Sequence, residues 1–121
     1  MLIVGIGTAQ AAPVSPAASN WSVSYGTARA AGTYTVVPSN FFFRTYTVDG
    51  QLSNTGSACY HVVYLVAEDL GALPYSSDAQ CGPGTLPLHF ETTVGPLGAV
   101  TVLVCQGQPD DNAACGPSQQ L

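Results

Sequence analysis

The sequence predicts an all-β protein: a small antiparallel β-sandwich of immunoglobulin-like type, held by two disulfides. Three observations carry this expectation. Short stretches alternate between apolar and polar residues, as in Trp21-Ser22-Val23-Ser24-Tyr25 and Tyr46-Thr47-Val48-Asp49, which is the period of a half-buried strand. Glycine and proline punctuate the chain between those stretches, and no helical pattern of any length occurs. Four cysteines stand in a chain of 121 residues, long enough for one modest core that cross-links would reinforce. About six or seven strands with short turns and no helices make a sandwich. A small Greek-key barrel would produce the same pattern, and the sequence does not separate the two.

Residues 1–11 combine a short apolar run with Ala9-Gln10-Ala11, a small-x-small cleavage signature, but lack the basic residues that normally open a leader. They are expected to be the remnant of a truncated signal peptide. The competing reading is a buried first strand over Leu2–Ile6. Residues 12–20, rich in Pro, Ala and Ser, form a flexible arm. The arm is either a spacer left by processing or a segment that orders on a partner. In the second case Pro13, Val14 and Pro16 are its partner-binding residues. A single sandwich domain is expected over residues 21–121.

Trp21 to Tyr25 is the first predicted strand, with Trp21, Val23 and Tyr25 facing the core. Ala28 to Ala31 is ambiguous, Gly32 marks a bulge or turn, and Thr33 to Val37 is strand-like until Pro38-Ser39-Asn40 stops it. Phe41-Phe42-Phe43 cannot all face one core, so at least one is exposed or covered by a second layer. Thr45 to Asp69 is expected to be an organising hairpin of two long strands turning at Asn54-Thr55-Gly56-Ser57. Its first strand buries Tyr46, Val48 and Leu52 on one face. Its second, Tyr60 to Ala67, is apolar on both faces except at His61 and is therefore central. Leu70 to Gly84 reads as a loop tied back by Cys81. Leu86 to Val94 is a strand whose Pro87 favours an edge. Gly95-Pro96-Leu97-Gly98 turns into the buried strand Ala99 to Cys105, followed by a polar, turn-rich tail.

Four cysteines allow three pairings. The sequence-local one, Cys59–Cys81 with Cys105–Cys115, is expected, each bridge contributing on the order of 2 to 4 kcal/mol.

Composition excludes several function classes. Lysine is absent, Arg29 and Arg44 are the only basic residues, and the net charge is -5. Nucleic acid and anionic membranes are therefore not expected partners. No cofactor or metal is expected: there is no Cys-x2-4-Cys pair for zinc, and Asp110-Asp111-Asn112 lacks the spacing of a calcium loop. His61 and His89 read as hydrogen-bonded structural residues. Glu68, Asp69 and Glu91 lack the large cleft a glycosidase places around its carboxylates, and there is no Gly-x-Ser-x-Gly. No catalytic residue is expected. What remains is an exposed apolar surface on a rigid scaffold, as binding modules and inhibitors use.

The run Val48-Asp49-Gly50-Gln51-Leu52-Ser53-Asn54-Thr55-Gly56 resembles the strand-plus-turn signature of immunoglobulin-like modules in bacterial surface proteins. Trp21 to Ala28, Asn54 to Tyr60 and Gln80 to Gly84 together resemble small exported actinobacterial proteins, among them the adaptor subunits of Streptomyces umbrella toxin particles. That resemblance implies a secreted, extracellular, non-enzymatic adaptor whose partners are a lectin-like subunit and a large repeat-bearing toxin subunit. Its N-terminal arm would dock on one partner and the sandwich surface on the other. Two alternatives differ in class. A protease inhibitor would present Leu73, Pro74 and Tyr75 from the disulfide-bounded loop, where these residues otherwise cap the core. A carbohydrate-binding module would use Trp21 and the tyrosines.

Overall fold

The computed structural model describes residues 17–40, 42–111 and 114–121. Among them nine strands follow one another: β1 (Ser19–Tyr25), β2 (Ala28–Pro38), β3 (Arg44–Asn54), β4 (Cys59–Glu68), β5 (Gly71–Ser76), β6 (Gln80–Cys81), β7 (Gly84–Val94), β8 (Ala99–Gln106) and β9 (Gln119–Gln120). They form two antiparallel sheets, one in the order β1-β2-β3-β7 and the other β5-β4-β8-β9, with β6 also on β4. The two predicted disulfides, Cys59–Cys81 and Cys105–Cys115, are both formed.

The expected organising hairpin is not a hairpin. β3 and β4 belong to different sheets, and the segment between them is a crossover. The physical reason is the Asn54 side chain, which is 3% exposed. Its Oδ1 accepts from the Gly56 amide at 3.0 Å, and its Nδ2 donates to the Ala58 carbonyl at 2.8 Å. These bonds turn the chain out of β3, whose two edges are already taken by β2 and β7, so that β4 starts the second sheet instead of pairing with β3. Gly95 to Gly98, where the Gly98 amide donates to the Gly95 carbonyl at 3.0 Å, carries β7 across to β8 in the same way. β3 pairs with β7 and β4 with β8. The β3–β4 and β7–β8 crossovers, with β3 on β7 and β4 on β8, are the B–C and E–F relation of the immunoglobulin fold. The disulfides differ from that fold's inter-sheet bridge, since Cys59 opposes Cys81 on β6 and Cys105 opposes Cys115 beside β8.

The core lies between the sheets. Trp21, Val23, Ala30, Val48, Leu52, Tyr60, Val62, Tyr64, Leu88, Val102 and Val104 form its main part, with Tyr46, Val66, Val94 and Val100 towards one end. The ambiguous stretch Ala28 to Gly32 belongs to the continuous β2, and Gly32 lies opposite Gly50 in the ladder. That pair makes room for Trp21: a side chain on Gly50 would press on the indole, and one on Gly32 would meet the backbone of Asp49. The indole N–H reaches across to the carbonyls of Thr33 at 3.2 Å and Asp49 at 3.1 Å. A buried indole donor is thereby satisfied.

β4 is buried on both faces, as its composition requires: Tyr60, Val62, Tyr64 and Val66 face the core while His61 and Val63 are buried on the other side. Its outer edge is paired throughout. β5 takes Val63 to Glu68, β6 takes Cys59 and Tyr60, and between them the Ser77 hydroxyl accepts from the Val62 amide at 2.9 Å. The stretch Leu70 to Gly84 is therefore two edge strands and not the predicted loop; hydrogen bonding to β4 overrides its turn-rich composition. Ser19 and Asn20, expected at the end of the arm, instead pair with Tyr34 and Thr33 as the first residues of β1. Residues 1–16, which cover the expected leader and most of the expected arm, including Pro13, Val14 and Pro16, lie outside the described residues. At the other terminus the tail returns as β9 on β8, and Leu121 packs against both parts of the core.

Asn54→Ala is expected to destabilise the protein by about 3 kcal/mol, since it strips partners from several part-buried backbone groups at once. Urea unfolding of the two proteins checks this; a difference below about 0.5 kcal/mol would match an ordinary surface position and contradict the assigned role.

Candidate functional surface

The large apolar side chains that stay exposed among the described residues are Val37, Phe42, Phe43, Leu70, Leu73, Tyr75 and Leu97. The topology brings them together. The β2–β3, β4–β5 and β7–β8 connections all lie at one end of the sandwich, opposite the Asn54 crossover, as the pairings Arg44 with Val94 and Ala67 with Ala99 require. Val37, Phe42, Phe43, Leu70 and Leu97 sit on or beside these connections, and Leu73 and Tyr75 continue the surface along β5. Phe42 is 65% exposed, Leu73 63% and Leu97 78%, while Leu70 is as exposed as in an unfolded chain. Solvent-facing leucines and phenylalanines gathered in this way mark interaction surfaces, unlike single scattered ones.

Leu73 and Tyr75 are on this surface, while Pro74, also exposed, faces the other side of the sheet opposite Leu65; all three belong to an edge strand and not to a protruding loop. Tyr75 leans on Phe90 with ring centroids 5.6 Å apart, and Phe90 stacks on buried Tyr64 at 4.3 Å. The Ser77 amide points at β4, so alternation turns the nitrogen of Pro74 away from β4, towards the open edge. A strand trying to add there would find no donor at that position. Pro87 stands in β7, the open edge of the other sheet, as its sequence context predicts. The outer edge of β1 is covered instead by the tail, where Gln119 Oε1 accepts from the Ser22 amide at 2.9 Å. The sheet edges thus discourage strand addition.

Neither histidine stands in a catalytic arrangement. Buried His61 donates from Nδ1 to the Gly107 carbonyl at 2.9 Å, tying β4 to the start of the tail. His89 is exposed, contrary to its apolar sequence neighbours, because it lies on the outer side of the edge strand β7. Its Nδ1 is 2.6 Å from Asp49 Oδ1 on β3. The hydrogen bond to Asp49 and that residue's charge raise the His89 pKa above its ordinary value, with Glu91 adding a smaller push. Tyr64 is the other perturbed group: burial first, then the charge of Asp49, pushes its hydroxyl up to about 12. Glu68 is occupied structurally, its Oε1 accepting from the Gly95 amide at 3.1 Å. No group of three or more His, Cys, Asp or Glu side chains suited to a metal occurs among the described residues.

Sequence reading pointed to Leu73, Pro74 and Tyr75 and to exposure within the phenylalanine triplet, but it missed Leu70 and Leu97. A signal was available: each is a lone leucine inside a tight turn, Asp69-Leu70-Gly71 and Pro96-Leu97-Gly98, where the chain offers no way into a core.

The fold and this surface define a class, an immunoglobulin-like β-sandwich with one apolar end. No protein-family model, curated protein or solved structure matches the chain.

The raised His89 pKa gives a pH test with a definite sign. The Asp49 pair contributes fully below the unfolded-state value of about 6.5 and is lost as pH rises through the higher folded-state value. Both groups are exposed, so the effect on stability is small and is best read directly. An NMR titration should place His89 above about 6.5, and Asp49→Asn should bring it back down; an unchanged midpoint would contradict the pairing.

Proposed function

We propose that this protein is a secreted, non-enzymatic adaptor that binds other extracellular proteins through the apolar end and the β5 surface. The observation that carries the reading is the gathering of Phe42, Phe43, Leu70, Leu73, Tyr75 and Leu97 at one end and one edge of the sandwich, with the opposite end cross-linked and hydrogen-bonded. Two disulfides fit an oxidising compartment, which supports export. The low charge of the chain supports binding, because such a surface is inexpensive to desolvate.

In its finer form the proposal follows the resemblance to umbrella toxin adaptors. The body would hold one subunit of the particle and the arm, through Pro13, Val14 and Pro16, would hold another, linking a lectin-like subunit to a repeat-bearing toxin subunit. The protease-inhibitor reading is weaker, because Leu73-Pro74-Tyr75 lies flat on β4 instead of projecting from a loop. A carbohydrate module through Trp21 is weaker too, since that indole is buried and its N–H is already bound.

Affinity purification of the tagged mature protein from culture supernatant of its native host tests the proposal. A stable complex containing a large repeat-bearing protein and a lectin-like protein is the expected result, with loss of one companion on deleting residues 12–18. In the same experiment Leu73→Asp should release the body-bound partner while leaving unfolding free energy within about 1 kcal/mol. Recovery of a protease, or of the protein alone, would contradict the adaptor reading.

A further inference from the structure

We propose that the end of the sandwich around Leu70 is a docking site for a partner-protein segment that combines apolar side chains with lysine or arginine. The proposal deepens the adaptor reading and rests on it.

Leu70 is a ridge between two crevices. One, of about 530 Å³, is lined by Phe43, Glu68, Asp69, Leu70, Gly95 and Pro96. The other, of about 410 Å³, runs from Leu70 along β5 to Tyr75, with Val66 and Thr92 at its floor and far side. Side chains of a partner entering both would straddle Leu70 and Glu68, which line the two crevices in common.

Charge decides what that segment carries. Glu68 and Asp69 line the first crevice, and the bond from the Gly95 amide holds the Glu68 carboxylate there. The cation at this end, Arg44, donates to the neutral Gly98 carbonyl at 2.6 Å and lies 5.7 Å from the centre of the Tyr46 ring, so the two carboxylates Glu68 and Asp69 stand against one cation and the balance stays acidic. The chain's other basic residue, Arg29, is at the far end of β2, opposite Ser53. An apolar floor with an acidic rim, in a chain of net charge -5, attracts cationic partners and repels acidic ones. The same rim disfavours anionic lipid, which separates a protein segment from a membrane as the occupant.

The test is titration of the isotopically labelled protein, followed by NMR, with a short synthetic peptide of alternating leucine and arginine. A leucine–glutamate peptide and vesicles containing phosphatidylserine serve as comparisons. The expected result is shifts centred on Phe42, Phe43, Asp69, Leu70 and Leu97 with the arginine peptide alone, weakening as salt is raised. Asp69→Lys should weaken binding about five-fold or more, and Leu70→Ser should remove it; both positions are exposed, so the fold is unaffected. Absence of binding, equal response to the glutamate peptide, preference for the vesicles, or shifts confined to the Asn54 end would overturn the proposal. A culture-supernatant complex that survives Asp69→Lys and Leu70→Ser would overturn this docking site while leaving the adaptor reading in place.

Discussion

One buried side chain sets the geometry of this fold. Asn54 accepts from the Thr27 hydroxyl at 2.7 Å and from the Gly56 amide, and donates to the carbonyls of Ala58, Gln80 and Gly82. It thereby joins the β1–β2 turn, the β3–β4 crossover and the β6 turn. Backbone bonds run in parallel, from Thr55 to Thr27 and from Gly82 to Ala58, and Cys59–Cys81 cross-links the same corner. An amide so nearly enclosed must have its donors and acceptors met. Meeting them fixes where β3 leaves one sheet and where β4 begins the other.

The consequence for function is a molecule with two unlike ends. At the Asn54 end, local polar groups are consumed by one another and by the disulfide. At the opposite end, the connections are short, and their apolar side chains have nowhere inward to go. Leu97 is held out by a turn whose backbone is pinned by Glu68 at Gly95 and by Arg44 at Gly98, and the Phe42 amide donates to Asn40 Oδ1 at 3.1 Å. Apolar groups presented on a pre-ordered backbone lose little entropy on binding. The guarded edges of β5 and β1 act in the same direction, by leaving strand addition a poor route to association.

Much of the fold was legible in the sequence, because its strands alternate or run apolar according to how many faces they bury. Trp21 and Val23, Tyr46, Val48 and Leu52, and the two-faced β4 all sit where their patterns place them, and both cysteine pairs are the sequence-local ones. The crossover was not legible: Asn54-Thr55-Gly56-Ser57 reads equally as a hairpin turn, and the difference lies in bonds from Asn54 to Gln80 and Gly82, distant in sequence. β5 was hidden for a related reason, since Gly71-Ala72-Leu73-Pro74-Tyr75-Ser76 has weak strand character and is held by β4. The brief return of β9 left no periodic trace at all. Of the candidate surface, Leu73 to Tyr75 was visible, but only the three-dimensional arrangement shows that it continues into the loops bearing Phe42, Leu70 and Leu97.

Hydrogen–deuterium exchange, comparing the free protein with the complex isolated from culture supernatant, tests the central claim most directly. The account predicts that partner binding slows exchange over residues 42–44, 69–76 and 95–98 and leaves the Asn54 corner unchanged. Protection confined to the corner around Thr27, Asn54 and Gly82, with the apolar end exchanging as in the free protein, would contradict it.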